Sequence, residues 1–333
     1  MKAAAIIGCG GIAHTHTEAL GKLENVHLVA LCDILPDRAS ALGKEFNIKA
    51  EIFTDYKQML EQVKLDVVHI TTPHYLHFEM AAFALKKGIN VVLEKPVCIN
   101  EAQLEELTKI AEQSSAKICI CFQNRFLETN KMAKSLITSG EAGAVKGARA
   151  FVTWSRNAPY YIESGWRGSK ITEGGGVMIN QAIHTLDLML WLCGKANTIT
   201  ATTGNRHLQG VIDVEDTAEA YIEFENGAKG LFYATTAYCT DAPIFLEIVC
   251  EKMALTFFND TLLINGKECT YAHSNTSLAS SKSYWGNGHL DLLQDYYKKL
   301  DTQEPVAINV PEAGKALRAL LAIYKSNGKP IQL

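Results

Sequence analysis

The first third of the chain alternates short apolar runs with amphipathic stretches. Residues 3–8, 26–33, 66–72, 90–96 and 117–123 are dense in aliphatic side chains, with a shorter run near 50–53. Between them, 36–46, 56–63, 75–87 and 101–113 repeat apolar residues at helical spacing. Near-continuous apolar strands separated by helices predict a parallel sheet covered on both faces. Beyond residue 123 the texture changes. A helix is expected over 128–139, a strand over 146–154, an irregular aromatic stretch over 155–168, and one oily helix over about 179–193. Closely spaced strand patterns follow, with hairpin signals at Glu225-Asn226-Gly227 and Asn265-Gly266, and helices over 288–300 and 311–327 close the chain. The expected division is residues 1–122 as an α/β domain on a parallel sheet, and 123–333 as an α+β domain. The second carries an open, mostly antiparallel sheet whose outer face is a candidate oligomer interface.

Bulk properties narrow the classes. The 333 residues are enough for two domains, and 47% hydrophobic with 20% charged residues is a globular composition. A net charge of −4 gives no footprint for nucleic acid or an anionic membrane. The N-terminal apolar run is too short for a signal peptide, and no run approaches the ~18 residues of a membrane span. Nine cysteines, mostly inside apolar runs and without a CxxC pair or zinc-like spacing, read as reduced thiols of a cytoplasmic protein. No metal is expected.

The first crossover holds Gly8-Cys9-Gly10-Gly11-Ile12-Ala13, a GxGxxA that follows a strand and opens a helix. Glycines let the backbone approach a pyrophosphate, which the helix N-terminus then holds. Asp33 closes the second strand, 20 residues beyond Ala13, where an acid accepts from ribose hydroxyls. Motif, context and acid together predict a Rossmann dinucleotide-binding domain. Asp33 favours NAD by repelling a 2′-phosphate; Arg38, in the next helix's first turn, keeps NADP as the alternative. Further loops at strand carboxyl ends carry Thr72, Pro73 and His77, then Glu94 and Lys95, then Gln123, as candidate cofactor contacts. The pairs His14/His16 and His74/His77 read as helix-start residues without a third metal ligand. Lys95 leaves a buried strand edge, where a partly desolvated lysine can exchange a proton or pair with an acid. Pro96 allows a cis bond that the sequence does not decide.

In "EGGGVMINQAIHTLDLMLWL", Asn180, His184, Asp187 and Trp191 fall within about 60° of one helix face at 100° per residue. The three glycines leave the helix start bare for another backbone or a cofactor. Read alone, the stripe fits either a cavity edge or a satisfied polar core.

These blocks carry a resemblance. GCGGIAxTH, TTPxxxH, EKP and WRG…EGGGVxINQAIHxLDL occur in the order found in the glucose–fructose oxidoreductase/inositol dehydrogenase (Gfo/Idh/MocA) family, which the chain resembles along its length. The resemblance implies an NAD(P)-dependent oxidoreductase of a sugar, sugar derivative or polyol, built as a homodimer or homotetramer through the C-terminal sheet. It assigns Lys95 to the reacting hydroxyl and His184 to the proton. Asn180 stands where inositol dehydrogenases carry Asp, which points away from inositol. Arg156, Tyr160, Tyr161, Trp166 and Arg167, in the loop before the glycines, complete the implied substrate site with Lys95, Asn180 and His184. Two other readings are an NAD-retaining glycosidase that uses transient oxidation and a non-catalytic NAD-linked sensor. Asp187 is undecided between orienting His184 and anchoring the helix.

Overall fold

A computed structural model describes residues 1–269 and 288–333 of the chain, which fall into two compact units. The first is a doubly wound α/β layer. Its strands are β1 (Lys2–Ile7), β2 (Val26–Cys32), β3 (Glu51–Phe53), β4 (Val67–Ile70), β5 (Asn90–Leu93) and β6 (Ile118–Ile120). All pair in parallel, in the order β3-β2-β1-β4-β5-β6. The crossovers run through α1 (Gly11–Gly21), α2 (Pro36–Glu45), α3 (Tyr56–Gln62), α4 (His77–Lys86) and α5 (Glu101–Gln113). Ala4, Ala5, Ile6, Val67, Val68, Val91 and Val92 are fully buried, which is why these runs read as continuously apolar. Burying each valine or isoleucine contributes roughly 1.5–3 kcal/mol before conformational entropy is counted.

The first stretch of this unit runs to Phe126, close to the expected boundary at 122. The unit also includes residues 288–313, with helix α10 (His289–Leu300). The Ile120 amide donates to the Ile308 carbonyl, Tyr296 donates to the Lys117 carbonyl, and Lys117 Nζ donates to the carbonyls of Lys299, Thr302 and Glu304. These bonds close the exposed edge beside β6, a tertiary arrangement that no composition shift along the chain announces.

The second unit is built on a nine-stranded mixed sheet. Its strands are β7 (Val145–Thr153), β8 (Ala196–Gly204), β9 (Thr217–Phe224), β10 (Lys229–Thr235), β11 (Phe245–Cys250), β12 (Ala254–Phe258), β13 (Thr261–Ile264), β14 (Lys267–Glu268) and β15 (Ile331–Gln332). The order is β14-β13-β12-β11-β7-β10-β9-β8-β15, antiparallel except between β7 and β10. Helix α6 (Glu128–Thr138) precedes β7, and α7 (Ala158–Ile162) is a short helix inside the expected irregular loop, capped by the Asn157 side chain. Both hairpin signals hold. Gly227 (φ 84°) turns β9 into β10, and Asn265 and Gly266 (φ 51° and 77°) turn β13 into β14.

The oily helix is two helices, α8 (Val177–Asn180) and α9 (Ile183–Cys193), the latter packed on β7 and β11. At the junction the Ala182 amide bonds the Val177 carbonyl, five residues back. The extra residue breaks the 100° count, so the four-residue stripe is not one helix face. Helix α11 (Val310–Ser326) begins within the first unit's last residues and leads to β15. No helix among the described residues is long and apolar enough to cross a membrane.

Candidate active site

In the first unit the glycine loop joins β1 to α1. Gly8 has φ 90°, and a Cβ there would lie 2.8 Å from Thr72 Cγ2 and 2.9 Å from the Thr71 carbonyl. Only glycine fits that crossing. Gly10, at the start of α1, has open space where a Cβ would project, while Gly11 is exposed and Ile12 half-buried. Asp33 is 7% exposed and holds this loop: Oδ2 accepts from the Cys9 amide at 2.8 Å, and Oδ1 from Leu35 at 2.9 Å. Its remaining lone pairs can accept ribose hydroxyls. An open helix N-terminus with a carboxylate at the neighbouring strand end therefore fits a dinucleotide. Arg38 is exposed in the first turn of α2.

Thr71 braces the loop from β4, its hydroxyl bonding the Ile7 and Gly8 carbonyls. Thr72 and Pro73 are half-buried beside it, and Gln123 is 2% exposed at the end of β6. His77 corrects its expected role as a cofactor contact. Its ring is fully buried, with Nδ1 2.7 Å from the Pro96 carbonyl and Nε2 2.9 Å from the Thr72 carbonyl. It ties two loops together, and burial pushes its pKa down. Lys95 is half-buried after β5, and the Lys95–Pro96 bond is cis. Glu94 turns its carboxylate inward. Burial alone would raise its pKa, but the His16 and His289 side chains hold it well below the usual carboxylate range. His14 bridges the Gly10 carbonyl and Glu45.

In the second unit, the start of α8 is not bare. A Cβ on Gly176 would collide with the Glu215 carbonyl, one on Gly175 with the Tyr324 hydroxyl, and one on Gly174 (φ 88°) with Ile99 at 2.7 Å. The glycines admit neighbouring protein atoms, not a cofactor. The Glu215 carboxylate, 8% exposed, accepts from the Gly176 and Met178 amides and the Tyr324 hydroxyl, capping α8. Between 177 and 193 the half-buried positions are Asn180, His184 and Trp191, while Asp187 is 1% exposed. Trp191 is covered at its own end, its carbonyl accepting from Lys134 Nζ, which also lies 5.3 Å from its ring centroid. Asn180 and His184 remain as the half-buried polar positions of this segment.

Asn180 has a partner that the sequence reading missed. Its Nδ2 lies 2.5 Å from Oε1 of the fully buried Glu173, whose Oε2 accepts from the Gly168 amide. Burial is the main cause that pushes the Glu173 pKa up, to about 7. The available signal was an acid placed immediately before three glycines.

The aromatic loop divides. Tyr160 is half-buried and accepts from Gln181 Nε2, with the Arg167 guanidinium 4.6 Å from its ring; Trp166 flanks the same guanidinium at 4.9 Å. Tyr161 is corrected: at 3% exposed it packs with Leu208, Ile212 and Val214, and its hydroxyl meets Thr236. The T-shaped stack of the two tyrosines explains why adjacent aromatics have opposite fates. Arg156 is neutralised by Asp241, with Nη1 2.8 and 3.0 Å from its two oxygens. Arg167, whose Nε is buried without a hydrogen-bond partner among the described residues, is the loop's remaining candidate for an anionic ligand.

Residues 2–122 match the oxidoreductase family with an NAD-binding Rossmann fold, and residues 130–256 match the GFO/IDH/MocA C-terminal domain. The chain belongs to the Gfo/Idh/MocA family. It is 28% identical over 344 residues to the D-glucoside 3-dehydrogenase of Escherichia coli, covering 97% of this chain and 94% of that protein. It is 29% identical over 266 residues to the glucose-6-phosphate 3-dehydrogenase of Bacillus subtilis, covering 76% and 73%. The WlbA dehydrogenase from Chromobacterium violaceum, solved with NADH and UDP-GlcNAcA, superposes with TM-score 0.87 at 26% identity, covering all of this chain and 96% of that one. The protein is an NAD-dependent dehydrogenase, and its named relatives are dehydrogenases of glucosides and inositol.

Proposed function

We propose that the protein oxidises the 3-hydroxyl of a glucopyranose-configured substrate to a ketone, or runs the reverse reduction. The observation that carries the reading is the Asn180 amide held by the buried Glu173, with Asn180 and His184 both half-buried. A carboxylate accepts hydrogen bonds, so Glu173 engages the Asn180 amide through Nδ2 and leaves Oδ1 as an acceptor. An amide so held can receive a substrate hydroxyl but cannot neutralise an imidazolium as an aspartate would. That supports a pyranose over an inositol, and the 3-dehydrogenase names of the two relatives support the carbon.

In the proposed reaction Lys95 hydrogen-bonds the reacting oxygen and His184 removes its proton, help worth roughly 10²–10⁴-fold. NAD, when bound, accepts the hydride. Tyr160 and Trp166 offer ring faces to a sugar, and Arg167 an anchor for a phosphate or carboxylate on it. The outer sheet face exposes Phe151, Leu231, Val249 and Phe258, which supports a homo-oligomer formed through it.

The test is incubation with NAD and a panel of methyl glucosides, glucose 6-phosphate, a nucleotide-linked uronic acid and inositols, following NADH and the carbon oxidised. NADH with a 3-keto product supports the proposal. Inositol turnover alone, or glycoside cleavage without NADH release, overturns it.

A further inference from the structure

Four elements of the first unit converge on one buried carboxylate. His16 from α1, His69 from β4, Glu94 after β5 and His289 opening α10 are 0, 0, 6 and 1% exposed. His16 Nε2 lies 3.0 Å from Glu94 Oε1, and His289 Nε2 lies 3.6 Å from the same oxygen. One ligand atom from each of His16, Glu94 and His289 sits within 4.8 Å of the other two. Ligand atoms around tetrahedral zinc, each about 2.0–2.2 Å from the metal, stand roughly 3.3–3.6 Å apart. Of the two measured separations, 3.6 Å lies at the upper end of that range and 3.0 Å just below it.

His289 makes this more than a polar core. Neither of its ring nitrogens has a hydrogen-bond partner within 3.5 Å among the described residues, although the ring is buried. Leaving such groups unmade costs about 1–3 kcal/mol each. Its Nε2 instead looks across 3.6 Å at an acceptor-only oxygen, a gap a cation would fill.

The hydrogen bonds behind the cluster agree with that occupant. His16 Nδ1 lies 2.9 Å from His69 Nδ1, and His69 Nε2 lies 2.9 Å from the Tyr297 hydroxyl. If His16 ligates through Nε2, its proton sits on Nδ1 and is donated to His69, whose own proton is donated to Tyr297. Both rings are then neutral and every nitrogen is matched, with the outer ring orienting the ligand. Two imidazoles with one carboxylate favour zinc-class ions over magnesium or calcium.

We propose that His16, Glu94 and His289 form a buried binding site for a zinc-class divalent cation, which ties α10 and the end of β5 to α1. Complete burial makes the site structural, since a catalytic metal keeps an open position. The competing arrangement is metal-free, with His16 Nε2–H donating to Glu94, His69 Nδ1–H to His16 and the Tyr297 hydroxyl to His69, which leaves only His289 unmatched.

The experiment measures metal in the full-length protein, purified without chelator, by mass spectrometry, then strips it and titrates Co²⁺ followed by Zn²⁺. The expected result is about one equivalent of zinc retained, with tetrahedral Co²⁺ absorption displaced by an equivalent of zinc. His289→Gln should weaken Co²⁺ binding by at least ~10-fold with unchanged circular dichroism. Retention below about 0.1 equivalent with no tetrahedral Co²⁺ spectrum overturns the proposal. Equal binding by His289→Gln also overturns it, placing the ion elsewhere. If that variant misfolds, the wild-type titration decides alone.

Discussion

Glu173 and Asn180 meet through a 2.5 Å hydrogen bond across the three-glycine turn, carboxylate to amide. The acid is fully buried, and the amide is half-buried. Glu173 is thus a positioning residue, acting on the proposed substrate contact through Asn180.

A pH dependence follows. The folded pKa of Glu173 is raised from 4.5 to about 7, so the native state holds a proton that the unfolded state releases. Its contribution to stability is full below about pH 4.5 and is lost as pH rises to about 7, with a slope of up to roughly 1.4 kcal/mol per pH unit. Denaturation across pH 4.5–8 should show wild type losing stability relative to Glu173→Gln. An identical pH slope in both proteins would contradict this assignment.

Asn180→Asp places a second carboxyl against Glu173. One proton will then be shared, raising the apparent pKa of the pair. The kcat profile should shift its midpoint upward, whereas Glu173→Gln should flatten the inflection near 7. Steady-state kinetics from pH 5 to 9 distinguishes these outcomes from a uniform loss of activity.

Lys95→Ala and His184→Ala should each lower kcat by at least ~10²-fold. Neither should change NAD affinity more than a few-fold, as titration calorimetry would show. Full turnover by His184→Ala would return that residue to a structural role.

Asp33→Ser should shift preference toward NADP and also lower stability, because Asp33 accepts from the Cys9 and Leu35 amides. A loss of roughly 1–3 kcal/mol is expected from thermal denaturation. Unchanged cofactor preference would remove the ribose role.

Gly176→Ala should be more damaging than Gly10→Ala for folding, since its Cβ would strike the Glu215 carbonyl while Gly10 faces open space. Overpacking of this kind costs about 1–3 kcal/mol or more. Gly10→Ala should instead weaken NAD binding at nearly unchanged Tm.

The sequence by itself determined the plan of a parallel-sheet unit followed by a mostly antiparallel one, because periodicity and turn chemistry are local. Buried parallel strands read as apolar runs, Asn265-Gly266 specified its own turn, and the glycine loop with Asp33 marked the dinucleotide end. Tertiary structure alone decided which side chains answer one another. Arg156 looked like a substrate anchor until Asp241, 85 residues on, took its charge. Tyr160 and Tyr161 are neighbours, yet one lines the loop and the other fills the core. His77 and Glu94 sat at the right loops for a cofactor but turn inward, to backbone carbonyls and to histidines from distant elements. The helix carrying Asn180 and His184 broke at a junction that helical periodicity does not encode. Partner choice for a polar group depends on what else is buried within about 3 Å, and that is fixed only when distant segments pack.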